Sequence, residues 1–157
     1  MGWVSRIMVG LSVLILLSII VLSFSDKQLP INFLGGTERS SPSNWIKEEQ
    51  IKVFKDQVIL DIPGATWAKF TDTNSMDPFI DETSNAIEIR PVNPDSIQVG
   101  DVISYKTGYG ILIHRVIEKG EDQDGFYYLV KGDNNTIRDP FQVRFEEVKG
   151  VVVAVVY

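Results

Sequence analysis

The chain has 157 residues, a formal net charge of −6 and no cysteine. The missing cysteine excludes disulfides, thiolate chemistry and cysteine-ligated zinc, and a single histidine excludes a metal site built from two or three histidines. Because no basic residues are clustered, the sequence also lacks the electrostatic footprint of a nucleic-acid-binding protein. We therefore expect no metal, no cofactor and no nucleic-acid partner.

An uncharged apolar run occupies residues 7–24. At about 1.5 Å per residue, a helix of this length nearly matches a hydrocarbon core of about 30 Å. Residues 1–25 are therefore predicted to form a transmembrane signal-anchor helix. A cleavable signal peptide is the alternative, because Ser23-Phe24-Ser25 is a small-x-small triplet. The run is longer than the usual apolar region of a signal peptide, about 7 to 15 residues, which favours the anchor.

The basic residues near its ends predict the orientation of this anchor. Arg6 and the amino terminus precede the apolar run, whereas Lys27 and Arg39 follow it. The distribution favours a single-pass membrane protein whose C-terminal domain lies on the extracytoplasmic side, extracellular or lumenal. Membrane lipid is accordingly an expected partner.

A linker is predicted between the anchor and the remaining domain, over residues 26–57. Its first half is rich in Gly, Ser and Pro. Ser43 or Asn44 is a candidate cap for a short helix over residues 45–54.

From Val58 onward the pattern is that of short strands, with alternating or continuous apolar residues between turn signals. No helical pattern of any length lies in this part of the chain. Residues 58–157 are therefore predicted to form a mainly β, β-rich domain. The predicted strands are residues 58–62, 65–71, 86–92, 101–106, 110–119, 125–132 and 148–157.

The segment "TNSMDPFI", residues 73–80, contains a candidate nucleophile, Ser75. Taken alone, Ser75 is consistent with an ordinary turn residue, since serine beside Asp-Pro is a common turn composition. A serine hydroxyl becomes a useful nucleophile only when a base accepts its proton. The candidate base is the one histidine, His114, or a lysine with a depressed pKa.

His114 lies in a predicted strand, where it is either a half-exposed strand histidine or a general base. The second interpretation needs a neutral imidazole near pH 7 and a third group that fixes its tautomer. Asp133 and Asp139 are the candidates for that group, although each is also consistent with ordinary turn chemistry. The residues alone leave open which of the two is the acid.

Five motifs, "NSMDP", "GDVISYK", "IHRVI", "KGDNN" and "RDP", follow in this order. Their order and spacing resemble type I signal peptidases, and more narrowly the endoplasmic-reticulum and archaeal branch. Bacterial members carry a lysine base in a "KRV" context, whereas this branch has histidine in an "HRV" context, here His114-Arg115-Val116. The resemblance covers about residues 58–157 together with the N-terminal anchor.

The resemblance implies a signal-peptidase-like all-β catalytic domain and a serine endopeptidase that removes signal peptides from secreted or membrane preproteins. Ser75 is then the nucleophile and His114 the general base. Asp139 matches the acid that orients the histidine, and Asp133 matches a supporting aspartate close to the site. The oxyanion donors are the backbone N–H of Ser75 and the hydroxyl of Thr73.

The resemblance also implies the partners of such an enzyme. Its substrates are preprotein signal peptides, with small residues at the first and third positions before the cut. Subunits of a signal-peptidase complex are further candidate partners. One residue departs from the family pattern, because Asn74 stands where members usually have glycine. Asparagine tolerates a positive φ better than most residues, so we expect the turn to be kept.

Two alternatives compete with an active signal peptidase. The first is a catalytically inactive, membrane-anchored relative that binds signal segments or a partner subunit without cutting. The second is a repressor-type self-cleaving protease, a group with a Ser-Lys pair and an N-terminal DNA-binding helical domain. The histidine at the base position and the apolar N-terminus disfavour this second alternative.

Overall fold

The computed structural model of the chain describes residues 2–3, 7–8, 10–15 and 39–157. In the N-terminal unit, which ends at Glu38, residues 3, 7–8 and 10–15 are α-helical. Much of the predicted anchor, and the predicted linker up to residue 38, lie outside the described residues. Among the described residues, no helix has the length and apolar character needed to cross a membrane.

The second unit, Arg39–Tyr157, is mainly β, which confirms the mainly β part of the predicted fold class. Its helical segments are three short 3₁₀ turns at Glu48–Gln50, Pro94–Ser96 and Phe145–Glu147. The strands in chain order are β1 Ile51–Val53, β2 Val58–Leu60, β3 Thr66–Lys69, β4 Asn85–Ile89, β5 Val102–Thr107, β6 Gly110–Asp122, β7 Gly125–Lys131, β8 Val143–Arg144 and β9 Val148–Val156.

Two antiparallel sheets contain all of these strands. β1 and β2 form a two-stranded hairpin, and the other seven strands form one sheet in the order β3-β4-β9-β5-β6-β7-β8. The C-terminal strand β9 is thus inserted between β4 and β5, with β4 paired on one side and β5 on the other. Val151 belongs to the larger core cluster and Val152 to the smaller one, so β9 packs on both faces, which accounts for its apolar run from Val151 to Val156.

The helix predicted over residues 45–54 is not formed, and this prediction was wrong. A 3₁₀ turn at Glu48–Gln50 leads directly into β1, whose partner is β2 across the register Ile51↔Leu60 to Val53↔Val58. The β-branched residues of both strands favour this pairing over a helix. The backbone N–H of Ser43, one of the two candidate caps, donates to Asp101 Oδ1 at 2.6 Å.

The core lies in two clusters, and β5 contributes to both because successive side chains of a strand point to opposite faces. Ile103 and Tyr105 belong to the larger cluster. Val102 belongs to the smaller one, which also contains Met76 and Ile80. Met76 follows Ser75 directly, so burial of its side chain fixes the segment that carries the candidate nucleophile.

Candidate active site

Ser75 and His114 line the same cavity, whose volume is about 350 Å³. Its walls are formed by residues 67–71, which include most of β3, and by residues 111–114 of β6. Within the part of the chain that the structure describes, no group of three or more His, Cys, Asp or Glu side chains is arranged to hold a metal ion.

Residues 73–78, which we call the serine turn, place Ser75 at the cavity. Asn74 has a φ of 52°, in the left-handed region that asparagine adopts more readily than most residues. This agrees with the expectation that asparagine keeps the turn at this position. On the other side of Ser75, the Met76 side chain is buried in the smaller core cluster. The serine turn is therefore fixed by backbone conformation on one side and by packing on the other.

A second turn, the Gly-Asp-Asn-Asn turn at residues 132–135, supports the serine turn directly. The Asn134 N–H donates to the Ser75 carbonyl at 2.9 Å, and Asn134 Nδ2 donates to the Asn74 carbonyl at 2.9 Å. A Cβ atom at Gly132 would lie 2.5 Å from the Ser75 carbonyl oxygen. Glycine is therefore required for the two turns to approach this closely.

His114 is buried rather than half-exposed, with 7% of its surface accessible. Its Nδ1 lies 2.9 Å from Asp139 Oδ1, and Asp139 is also buried. The Asp139 backbone N–H donates to the Val130 carbonyl at 2.9 Å, which holds the aspartate beside β7. Of the two candidate aspartates, Asp139 is the one that contacts the imidazole.

Tyr105 completes this group. Its hydroxyl donates to Asp139 Oδ2 at 2.5 Å and lies 3.0 Å from His114 Nδ1. Burial raises the pKa of Tyr105, and the hydrogen bond and charge of Asp139 raise it further, so the phenol remains a donor. An ionised carboxylate only accepts hydrogen bonds, so its contact with Nδ1 assigns the proton to Nδ1 and leaves a lone pair on Nε2. The neutral imidazole can then act as a base through Nε2.

Asp133 has a different set of contacts. Arg115 binds it in a bidentate manner, with Nε to Oδ1 at 2.8 Å and an Nη to Oδ2 at 2.6 Å. Arg39 donates to the Asp133 carbonyl oxygen. Asp133 is almost fully buried, so this paired charge anchors the Gly-Asp-Asn-Asn turn to β6. The geometry gives Asp133 a positioning role and places it away from the imidazole contact.

Thr73 lies beside the candidate nucleophile, with 3.2 Å between Thr73 Oγ1 and Ser75 Oγ. Among the described residues, Thr73 is the hydrogen-bond partner of the Ser75 hydroxyl, and no hydrogen bond joins that hydroxyl to His114.

Two residues of this region were missed in the sequence. Tyr105 lies in the "GDVISYK" motif, where alternation with Ile103 indicates a buried side chain and nothing about its hydroxyl. Glu88 also lines the cavity, in a strand where it alternates with apolar residues. Glu88 lies on the face opposite Ile87 and Ile89, so this alternation indicates an exposed side chain, and the sequence carries no signal for the burial of Glu88.

Glu88 is 94% buried, since only 6% of its surface is accessible. Its Oε2 accepts a hydrogen bond from Ser104 Oγ at 3.0 Å, while its buried Oε1 has no hydrogen-bond partner among the described residues. Burial raises the pKa of the Glu88 carboxyl above its ordinary value of 4.5, and the Ser104 hydrogen bond partly opposes this. The Glu88 carboxyl in the cavity wall therefore has a hydrogen-bond partner for one oxygen and, among the described residues, none for the other.

The backbone of the serine turn is tested by two substitutions at one position. Asn74→Gly should be tolerated, whereas Asn74→Ala should be less stable than Asn74→Gly by about 1 kcal/mol, because a left-handed conformation is costly for a residue with a Cβ. The free energies of unfolding, measured in denaturant, give this difference. An alanine variant as stable as the glycine variant would contradict the positive φ at Asn74.

The buried Arg115–Asp133 ion pair is tested by comparison with the surface pair Arg144–Asp122. Asp133→Asn leaves Arg115 without its counter-charge in a buried setting, so we expect a loss of about 3 to 5 kcal/mol in the free energy of unfolding. The control is Asp122→Asn, which removes a bidentate partner of Arg144 on the surface and should have little effect. Equal losses from the two substitutions would refute the anchoring role of Asp133.

Glu88→Gln should remove a pH dependence of stability. Because burial raises the pKa of Glu88 from 4.5 in the folded chain, the folded state holds the proton to higher pH than the unfolded state does. The free energy of unfolding of the native chain must then fall as pH rises from 4.5 through the folded-state pKa. We expect urea unfolding to show that the free energy of unfolding of Glu88→Gln increases relative to that of the native chain across that range. For the exposed control Glu121→Gln, the difference from the native chain should stay constant. Parallel curves for Glu88→Gln would contradict the raised pKa.

Comparison with known proteins identifies no family for this chain. No protein-family model matches it, and no solved structure matches it. A protein of Methanocaldococcus jannaschii, described as uncharacterized, is 36% identical over a segment that covers 36% of this chain and 34% of that protein. The chain thus spans about a third of the length of this curated relative. The similarity relates one segment to an archaeal protein and assigns no activity.

Proposed function

We propose that the chain is a membrane-bound serine endopeptidase of the signal peptidase I type, which removes signal peptides from secreted or membrane preproteins. The observation that carries the proposal is the buried His114–Asp139 pair, 2.9 Å apart, in a chain whose Ser75 lines the same cavity as His114. A base oriented by a carboxylate beside a serine is the arrangement that nucleophilic acyl transfer requires.

The reaction is acyl transfer to water. Ser75 Oγ attacks the scissile carbonyl while His114 Nε2 accepts its proton, and the imidazolium then returns that proton to the leaving amine. Asp139 holds the Nδ1 proton and stabilises the imidazolium. Tyr105 donates to the second oxygen of Asp139 and so fixes the carboxylate plane. A water molecule, activated by the same imidazole, hydrolyses the acyl-enzyme.

The oxyanion formed in this reaction requires two donors near Ser75. The Ser75 backbone N–H makes no hydrogen bond within residues 39–157 and is available as the first. The Thr73 hydroxyl, 3.2 Å from Ser75 Oγ, is the second. A single donor of this kind contributes about 3 to 4 kcal/mol to the stabilisation of a transition state.

The substrate is an extended segment that adds to the sheet beside the cavity. β3 is the first strand in the sheet order and contributes to the cavity wall, so its outer edge can bind a peptide through main-chain hydrogen bonds. The resemblance to signal peptidases gives small residues at the first and third positions before the cut.

A transmembrane anchor at residues 1–25 belongs to the same proposal, with the catalytic domain on the extracytoplasmic side. An anchored enzyme shares a thin layer with membrane-inserted preproteins, which raises the effective concentration of the substrate. Membrane lipid and the subunits of a signal-peptidase complex are the further partners that this arrangement would bring together.

The activity is tested with the full chain in detergent or lipid vesicles and a preprotein as substrate. Ser75→Ala and His114→Ala should each reduce cleavage by about a thousandfold or more, because they remove the nucleophile and its base. Ser40→Ala, at an exposed position, is the matched control and should cleave as the native chain does. Circular dichroism of each variant establishes that the β domain is folded.

Retained cleavage in a folded Ser75→Ala or His114→Ala variant would contradict these assignments. A native chain that binds the preprotein in a pull-down assay and never cleaves it would instead favour the catalytically inactive, membrane-anchored binding subunit.

A further inference from the structure

Arg39 is the first residue of the β-rich unit and lies outside the five sequence motifs. Its guanidinium donates a hydrogen bond to the main-chain carbonyl of Asp133, and its Nε lies 3.9 Å from Asp133 Oδ1. The Asp133 carboxylate is already bound in a bidentate manner by Arg115. Arg39 therefore acts mainly on the backbone of the Gly-Asp-Asn-Asn turn, and the catalytic steps above give it no role.

The residues that follow in the chain, 40–43, are fixed to the β domain by a hydrogen bond and by close packing. The Ser43 N–H donates to Oδ1 of the fully buried Asp101 at 2.6 Å. A Cβ atom at Gly100 would lie 2.1 Å from the Ser41 carbonyl oxygen, so the approach of this segment requires glycine. The guanidinium is therefore brought to the Gly-Asp-Asn-Asn turn by a segment that is itself held in place.

Arg39 holds one end of a peptide group whose other end holds Ser75. The Asp133 carbonyl and the Asn134 N–H belong to the same planar peptide group, so fixing the carbonyl also fixes the direction of the N–H. That N–H donates to the Ser75 carbonyl at 2.9 Å. The cationic donor on the carbonyl also strengthens this second bond, because hydrogen bonds in a chain polarise one another.

The Asn134 side chain acts on the peptide group on the other side of the candidate nucleophile. Asn134 Nδ2 donates to the Asn74 carbonyl at 2.9 Å. This carbonyl shares a planar peptide group with the Ser75 N–H, the first of the two proposed oxyanion donors. Asn134 thus orients both peptide groups that flank Ser75, and the position of Asn134 depends on the carbonyl that Arg39 holds.

We infer that Arg39 is a positioning residue for catalysis, which aims the oxyanion-donating N–H of Ser75 through the Asp133–Asn134 peptide group. The inference rests on the proposed endopeptidase function and adds to it a residue that touches no reacting atom. The oxyanion exists only after the nucleophile has attacked. Misdirecting its donor therefore weakens binding of the transition state and leaves binding of the substrate unchanged. The expected signature is a loss in kcat with an unchanged KM.

The test uses the full chain in detergent or lipid vesicles with a preprotein as substrate. Arg39→Ala should lower kcat by about tenfold and keep KM within about twofold of the native value, since removing an oxyanion donor outright costs about a hundredfold or more in kcat. Arg39→Lys keeps a cationic donor for the carbonyl and should recover most of the native kcat. Arg90→Ala, at an exposed position, is the matched control and should have the native kcat and KM.

Amide hydrogen exchange tests the same route without relying on cleavage. The Asn134 N–H should exchange about tenfold faster in Arg39→Ala than in the native chain, because the peptide group that carries it has lost a charged donor. The amides of β4, which is paired on both sides, should exchange at the native rate and so establish that the sheet is intact. Faster exchange at Asn134 in a chain that cleaves no preprotein would support the positioning of Asn134 by Arg39 and refute the endopeptidase function.

Three results would overturn the inference. A native kcat in Arg39→Ala would refute the positioning role and leave the endopeptidase function standing. A loss of kcat/KM that arises from KM alone would show that Arg39 acts on substrate binding instead. Unchanged exchange of the Asn134 N–H in Arg39→Ala would refute the route through the Asp133–Asn134 peptide group.

Discussion

The arrangement of the candidate site depends on two adjacent residues of β6, His114 and Arg115, whose side chains point to opposite faces of the strand. Arg115 binds Asp133 through two hydrogen bonds in a largely buried ion pair. His114 contacts Asp139 at 2.9 Å. One strand therefore fixes both Asp133, through Arg115, and Asp139, through His114.

The Arg115–Asp133 pair also affects the position of Ser75, the candidate nucleophile, through backbone hydrogen bonding. Asp133 belongs to the Gly-Asp-Asn-Asn turn, whose Asn134 N–H binds the Ser75 carbonyl. Displacing the turn would break this bond and loosen the segment that carries Ser75. A buried ion pair is not necessarily stabilising relative to an apolar pair, but breaking one side of it is costly. Because breaking the Arg115–Asp133 pair is costly, it is suited to holding the Gly-Asp-Asn-Asn turn in one position.

Much of the β domain could be predicted because the strands of this chain alternate or are continuously apolar between clear turn signals. The single histidine and the Ser75 motif also limited the choice of site residues.

The prediction of a helix at residues 45–54 failed because the residues of β1 pair with β2, a tertiary pairing that periodicity does not encode. Local spacing also left Asp133 and Asp139 equivalent, and the contact of His114 with Asp139 depends on how β6 and the segment after β7 meet. Tyr105 was missed because a burial pattern says nothing about the partner of a polar atom, and Glu88 was missed because its alternation with Ile87 and Ile89 indicates an exposed side chain.

The central claim is that His114 activates Ser75 as a nucleophile. The most direct measurement is covalent labelling of the folded full chain with a serine-reactive acylating probe, with the modified residue located by mass spectrometry. The account predicts that Ser75 is labelled in the native chain and that labelling is lost in His114→Ala. A native chain that is not labelled at Ser75, or labelling that is unchanged in His114→Ala, would contradict it.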